Sequence, residues 1–232
     1  RLSAGLLGGA SGGVVLHLHF ILPDGRGSGL HRWRLRRQGF ITSQAKAEVA
    51  AELFDLMPNV EANIMVGGVI PGYQSYEAAV AEQPIAPISD EFEGADMLYS
   101  SGTTGRPKGI KKPITGEPLG TPSGPVDIIG ALYGVSGTSV YLSPAPLYHS
   151  APLRFNMGVL RKGGTTVVME RFDPEGALAL IERHKISHSQ WVPTMFVRML
   201  KLPEAVRGKY DLSSLEVVIH AAAPCPVQTK ND

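Results

Sequence analysis

Between Tyr99 and Gly109 the chain reads Tyr-Ser-Ser-Gly-Thr-Thr-Gly-Arg-Pro-Lys-Gly. The hydroxyls of Ser100, Ser101, Thr103 and Thr104, the glycines Gly102, Gly105 and Gly109, and the cations Arg106 and Lys108 thus share one short loop. Such a set suits an oligophosphate. Glycines let backbone N–H groups approach the oxygens, hydroxyls donate further hydrogen bonds, and the cations offset the negative charge. A Walker-type loop is excluded, because Pro107 stands five residues after Gly102, where that pattern requires glycine. The competing reading is an ordinary polar surface turn.

Three other groups of reactive side chains carry less on their own. His149, in Pro146-Leu147-Tyr148-His149-Ser150-Ala151-Pro152, reads first as a cap or a buried hydrogen-bonding residue ahead of a helix. Asp90, Glu91, Glu93 and Asp96 read as a solvated loop rather than a metal site, since no other ligand type joins them at a recognisable spacing. Cys225 has no identifiable activating base and reads as packing. As the single cysteine it excludes an intrachain disulfide and a cysteine-based metal cluster, and it fits a reducing, cytoplasmic setting.

The elements that must position these residues follow from pattern. Val49, Leu53 and Leu56 or Met57 recur at helical spacing before Pro58, and Ile64-Met65-Val66 reads as a short buried strand ended by Gly67-Gly68. A helix is expected over residues 76–82, a loop over 83–93, a helix over 126–133 and a strand over 139–143. Ser150 is the expected cap of a helix over residues 153–161, closed by Gly163-Gly164. A strand over 165–169 precedes a helix opened by Asp173-Pro174-Glu175. Strands over 186–192 and 215–219 flank a helix over 193–200. Strand and helix in alternation argue an α/β layer architecture.

With 232 residues, 43% hydrophobic and 19% charged, the chain has a globular composition and enough length to bury a sizeable core. The longest apolar run near the start, Val14 to Leu22, holds nine residues with His17 and His19 among them, too short and too polar for a membrane-spanning helix. No secretory signal is expected from Arg1 alone ahead of it.

In order and spacing, residues 100–109 resemble the signature loop of the AMP-forming adenylating enzymes, the superfamily of acyl-CoA synthetases, peptide-synthetase adenylation domains and luciferases. Pro146-Leu147-Tyr148-His149 resembles a second recurrent motif in the acid–CoA ligase branch, and Val192-Pro193-Thr194-Met195 adds a structural likeness. His220-Ala221-Ala222-Ala223-Pro224 is similar to the small-residue turn that follows a late strand in these enzymes. The resemblance implies an α/β fold: part of the large N-terminal domain of an adenylate-forming enzyme, with mixed sheets flanked by helices. It implies that Ser100, Ser101, Thr103, Thr104 and Lys108 grip the ATP phosphates while Gly102, Gly105 and Gly109 give backbone clearance. His149 inherits a place beside the acyl carboxylate and, with Lys108, a catalytic role. Ala222, Ala223 and Pro224 inherit a place beside adenine, where a flat ring approaches the main chain only if side chains are small.

The implied chemistry joins a small-molecule carboxylic acid, fatty or related, to coenzyme A through an acyl-adenylate made from ATP. Mg2+ is implied as well, its ligand glutamate expected beyond the end of this chain, so no metal ligand is assigned within it. The ribose-binding aspartate, the hinge and the small C-terminal domain with its lysine are also expected there. Residues 41–232 are then a partial AMP-binding domain, inactive alone. Two alternatives stand: a catalytically incompetent ATP-binding fragment of a disrupted gene, and an adenylation domain of another branch. The sequence sets no oligomeric state.

Residues 1–40 depart from this pattern. They hold nine glycines, six arginines and one acid, about +5, in a chain whose net charge is +1. Three readings compete: a solvated, disordered basic arm, an anionic-surface or nucleic-acid patch around Trp33, and sequence outside the fold, such as a shifted reading frame in a GC-rich gene. The third is favoured, and a nucleic-acid partner is not expected. Translating the parent nucleotide sequence in its other two frames should restore a family-like pattern upstream of Phe40; two frames without one would rule the frame shift out.

Overall fold

The computed structural model describes residues 2–8, 14–20, 37–58, 60–81, 83–87, 91–94, 98–99, 109–110, 113–121, 124–147 and 149–231. The chain divides into two compact units, Arg1–Thr121 and Pro122–Asp232.

In the first unit, strands β1 (Leu2–Gly8), β2 (Val14–Phe20), β3 (Arg37–Ser43), β4 (Val60–Val66) and β5 (Gln74–Ser75) form one sheet in that order. The first three pair antiparallel and the last three parallel, so the sheet is mixed. Helix α1 (Ala47–Phe54) connects β3 to β4, as a parallel pair requires a crossover. Its Ala50 packs with Phe40, Met65 and Tyr73 in a buried cluster. The Tyr73 hydroxyl donates to the Ala50 carbonyl at 2.7 Å, which lets a phenol sit in this core with its polar end satisfied. The Tyr73 ring meets Phe40 edge-on at 6.0 Å. Helix α2 (Tyr76–Ala81) carries Glu77, whose carboxylate accepts from the Gly67 N–H at 2.8 Å; that backbone bond is the main reason its pKa lies below the usual range. Strands β6 (Leu98–Tyr99) and β7 (Gly109–Ile110) make a separate antiparallel pair.

Two features differ from the sequence expectation. Helix α1 ends at Phe54, ahead of Pro58, because Leu56 and Met57 fold back in tight turns onto Leu53 and Phe54. Strands occur at Leu2–Gly8 and Val14–Phe20, where no sustained period is legible; the Leu-His-Leu-His-Phe alternation over 16–20 is a period of two confined to five residues.

In the second unit, helix α3 (Gly124–Tyr133) leads into strand β8 (Val140–Ser143), helix α4 (Ser150–Arg161) and strand β9 (Thr165–Val168). Helix α5 (Pro174–His184), strand β10 (His188–Trp191), helices α6 (Pro193–Leu200) and α7 (Glu204–Arg207), strand β11 (Val217–His220) and helix α8 (Val227–Asn231) follow. The sheet runs β11-β10-β8-β9, and every neighbouring pair is parallel. Consecutive residues of β8 point to opposite faces. Tyr141 joins Ile129, Val135 and Val159 beneath α3 and α4, whereas Leu142 joins Ala177, Ile181, Ile186, Trp191 and Met195 beneath α5 and α6. Helices therefore cover both faces, giving the α/β architecture with sheets flanked by helices. Among the described residues no helix is long and apolar enough to cross a membrane.

Local chemistry sets the element ends. The Asp173 carboxylate caps α5 by accepting from Gly176 N–H at 2.6 Å, with Pro174 in the first turn. Lys185 ends that helix in the left-handed region at φ 49°, and its ammonium bonds Asp211 at 3.0 Å. Hydrogen bonds from Ser213, then Lys185, hold the Asp211 carboxyl well below the usual carboxylate range. Helix α4 closes on Gly163 at φ 82°, and Gly164 N–H donates to the Val159 carbonyl at 2.9 Å. A Cβ on Gly164 would lie 2.9 Å from the Ser139 carbonyl oxygen and 2.8 Å from Val159. Gly164→Ala should accordingly cost about 1–3 kcal/mol in urea unfolding; an unchanged midpoint would contradict this packing.

Candidate functional site

The loop singled out by its hydroxyls and glycines is bracketed by β6 and β7. Tyr99 and Gly109 face each other in register, as do Leu98 and Ile110, so an antiparallel pair holds the loop's two flanks together. Gly109 belongs to β7. Ser100, Ser101, Gly102, Thr103, Thr104, Gly105, Arg106 and Lys108 lie outside the described residues, as do Tyr148, Asp90 and Asp96. Near this pair in sequence, the Glu93 carboxylate accepts from the Gly120 N–H at 2.9 Å, tying residues 91–94 to the turn at 117–120.

The second unit gathers the remaining expected residues by topology. From β8 the chain passes through α4 to β9 on one side; from β10 it passes through α6 to β11 on the other. Adjacent parallel strands whose connections diverge form a topological switch point, the place where open α/β sheets bind ligands. The carboxyl ends of β8, β10 and β11 deliver residues 144–149, Val192-Pro193 and residues 221–226 to the same edge of the sheet.

His149 occupies the cap position of α4, in extended conformation at φ −83° and ψ 144°. Its N–H donates to the Pro146 carbonyl at 3.2 Å, and its own carbonyl accepts the first helical bond, from Leu153 N–H at 3.1 Å. The side chain is exposed. This corrects the expected helix start. Ser150 is the first helical residue rather than the cap, because Pro152 falls within the first turn, where a missing N–H breaks no helical bond.

Ala222, Ala223 and Pro224 are exposed and follow β11 directly. The turn is anchored where it begins: Ala221 N–H donates to the Trp191 carbonyl at 3.1 Å, extending the β10–β11 ladder by one bond. Ala222 adopts φ 72°, the left-handed region that an alanine enters at a cost. Such a conformation persists only where the surrounding structure holds it. Cys225, next to it, is half-buried and unpaired with another cysteine.

Sequence reasoning passed over the polar pair beneath this edge. Ser143, the last residue of β8, is fully buried, and Asn156 on α4 donates to its hydroxyl at 2.8 Å. The signal was an asparagine in the stripe of α4 that also buries Pro152 and Val159.

Comparison with known proteins places this geometry. The family described as AMP-binding enzyme matches residues 34–232. The 4-coumarate--CoA ligase 1 of Oryza sativa subsp. japonica is 38% identical over 149 residues, 61% of this chain and 26% of its own length. The probable CoA ligase CCL5 of Humulus lupulus is 32% identical over 140 residues, 58% of this chain and 24% of its own. The chain thus spans about a quarter of the length of these curated relatives. Among solved structures, the N-terminal domain of FACL13 from Mycobacterium tuberculosis superposes with a TM-score of 0.64 over 82% of this chain and 46% of that one, at 22% identity, a likeness of fold.

The strain at Ala222 is testable. Ala222→Gly removes a left-handed penalty of about 1–2 kcal/mol and adds unfolded-state freedom worth about 0.4–1 kcal/mol. The variant should gain about 0.5–1 kcal/mol in urea unfolding, and a net loss would show that the turn is not strained.

Proposed function

Because the chain belongs to the AMP-binding enzyme family, we propose that it is part of an ATP-dependent carboxylic acid–CoA ligase. In the first step a carboxylate oxygen attacks the α-phosphorus of ATP. The bond to the bridging oxygen breaks, pyrophosphate leaves with that electron pair, and an acyl-adenylate forms. In the second, the coenzyme A thiol, losing its proton, attacks the acyl carbon, and AMP departs. Such transfers depend mainly on positioning and charge stabilisation.

The observation that supports the reading best is the switch point of the second unit, where His149 and the Ala222 turn emerge at one sheet edge. His149 acts on the acyl carboxylate, and Ala222, Ala223 and Pro224 lie along adenine, a flat surface that their small side chains admit. The loop from Ser100 to Gly109, with Ser101, Gly102, Thr103, Thr104, Gly105 and Lys108, takes the β- and γ-phosphates; the paired strands at its flanks support that role. Lys108 offsets charge on the leaving pyrophosphate. The acid is fatty or related, and the relatives' names put 4-coumarate beside it as a test substrate. Mg2+, held with the ATP phosphates, belongs to the same proposal.

Residues 41–232 form the AMP-binding part, a division supported by the start of the family match at residue 34. The match takes in Arg34, Arg36 and Arg37, so the family pattern begins inside the arginine-rich stretch, and β1 and β2 extend the first sheet. A reducing, cytoplasmic setting is part of the same reading, supported by the lone Cys225.

A second reading, in which this chain binds ATP without turnover, stands beside the first. One pair of measurements separates the two. Calorimetric titration should show ATP binding, weakened about tenfold, or ~1.4 kcal/mol, in Lys108→Ala. Carboxylate-dependent ATP–pyrophosphate exchange should be absent from the chain alone. Robust exchange would overturn the second reading, and a chain that binds no ATP would overturn both.

A further inference from the structure

Asparagine 156 is the exception in the face that α4 turns toward its sheet. Pro152, Asn156 and Val159 are the buried side chains there at helical spacing, and Asn156 is only 6% exposed. Its Nδ2 donates to the Ser143 hydroxyl at 2.8 Å and to the Pro152 carbonyl at 2.8 Å. The carbonyl fixes which end of the amide is nitrogen, since it only accepts. The other end, Oδ1, is buried with no hydrogen-bond partner. A leucine would fill nearly the same volume without leaving an acceptor orphaned, so the amide is a poor choice for stability alone. What it supplies is a fixed connection.

That connection has a defined place. Ser143 is the last residue of β8, fully buried, and Asn156 lies in the second turn of α4. The connector from Pro144 to His149 runs between them. It leaves β8 through the buried Pro144 and Ala145, turns at Pro146, and ends with His149 as the cap. A bond that ties the strand's last residue to the helix closes this segment at its base, so the direction in which α4 starts is set by a directional contact as well as by apolar packing.

We infer that Asn156 is a positioning residue: by holding Ser143 it fastens α4 to the carboxyl end of β8 and sets the connector that presents His149. The inference rests on the reading of His149 as a site residue, but its physical part is measurable without ATP. Asn156→Leu, Ser143→Ala and the double variant are compared with the parent chain by amide hydrogen exchange and by the carbon–proton correlation of the His149 imidazole.

Exchange at His149 and Leu153, whose N–H groups bond the Pro146 and His149 carbonyls, should accelerate about tenfold or more in each single variant. The His149 Cε1–H signal should move or broaden, and the double variant should add little beyond either single one, because both cut the same bond. Asn156→Leu should melt within about 2 °C of the parent, or higher. Should Asn156→Leu fold poorly, Ser143→Ala carries the same test. Unaltered exchange at these amides with an unmoved imidazole signal would overturn the inference, as would a uniform acceleration across α4, β8 and β9. Titration of the same variants with ATP separates the two claims. A parent chain that binds no ATP defeats the functional reading and leaves the connector result standing. A parent His149 Cε1–H signal that does not move when 4-coumarate is added with ATP defeats the claim that the connector presents a site residue.

Discussion

Parallel pairing of β11, β10, β8 and β9 is the constraint on which the second unit depends. Two parallel neighbours cannot be joined by a tight turn, so each strand must be followed by a crossover, here a helix, before the next begins. Every strand then points the same way, and every strand end opens on one edge. His149 and Ala222 are separated by a long stretch of sequence, yet both emerge at that edge because each follows a carboxyl end. The chemistry proposed for them needs this ordering before it needs any particular side chain. The order of the strands also creates the divergence between β8 and β10.

A central strand made of His188, Ser189, Gln190 and Trp191 is buried along its whole length. Its His188 and Ser189 side chains are hydrogen-bonded, while the Trp191 Nε1–H is buried without a partner among the described residues. His188 Nε2 lies 2.9 Å from the Tyr133 carbonyl and so must carry the proton. Nδ1 lies 2.7 Å from Ser187 Oγ. The Ser187 hydroxyl donates to the Val140 carbonyl at 3.2 Å. Ser187 still accepts from Val140 N–H at 3.0 Å. The network joins α3, β8 and β10 on one side of the sheet. Ser189 makes a bond to the Leu142 carbonyl at 3.3 Å. Fixed polar contacts of this kind hold strands in register where apolar packing alone is permissive.

Much of this order was legible in the residues, and the failures have physical causes. Asp173-Pro174 announced α5, because a cap and a proline act locally, and Pro193 to Leu200 is helical over the expected span. The parallel strands of the second unit were found from their short β-branched and apolar runs, with ends shifted by one or two residues, whereas β4, read over Ile64-Met65-Val66, begins four residues earlier at Val60. Helix α4 was placed too late, with Ser150 as its cap, whereas Ser150 is helical and the proline in the first turn leaves the helical ladder intact. Helices α7 and α8 are short, Glu204–Arg207 and Val227–Asn231, and offer no periodicity to read. At the site, the places of His149 and Ala222 to Pro224 after strand ends were readable from the motifs. The left-handed backbone at Ala222 was not, since a row of alanines carries no glycine signal. The Asn156–Ser143 bond was hidden for another reason: it pairs residues thirteen apart, across a turn whose path the sequence does not specify.

Two proposals stand, one in each unit: the loop from Ser100 to Gly109 takes ATP phosphates, and the turn after β11 lies along adenine. Amide hydrogen exchange of the whole chain, with and without ATP, addresses both most directly. Slowed exchange on ATP addition at residues 100–109 and at Ala221 to Ala223, with α1 and α5 unaffected, is the predicted result. ATP binding that leaves both stretches unprotected while slowing exchange elsewhere would contradict both.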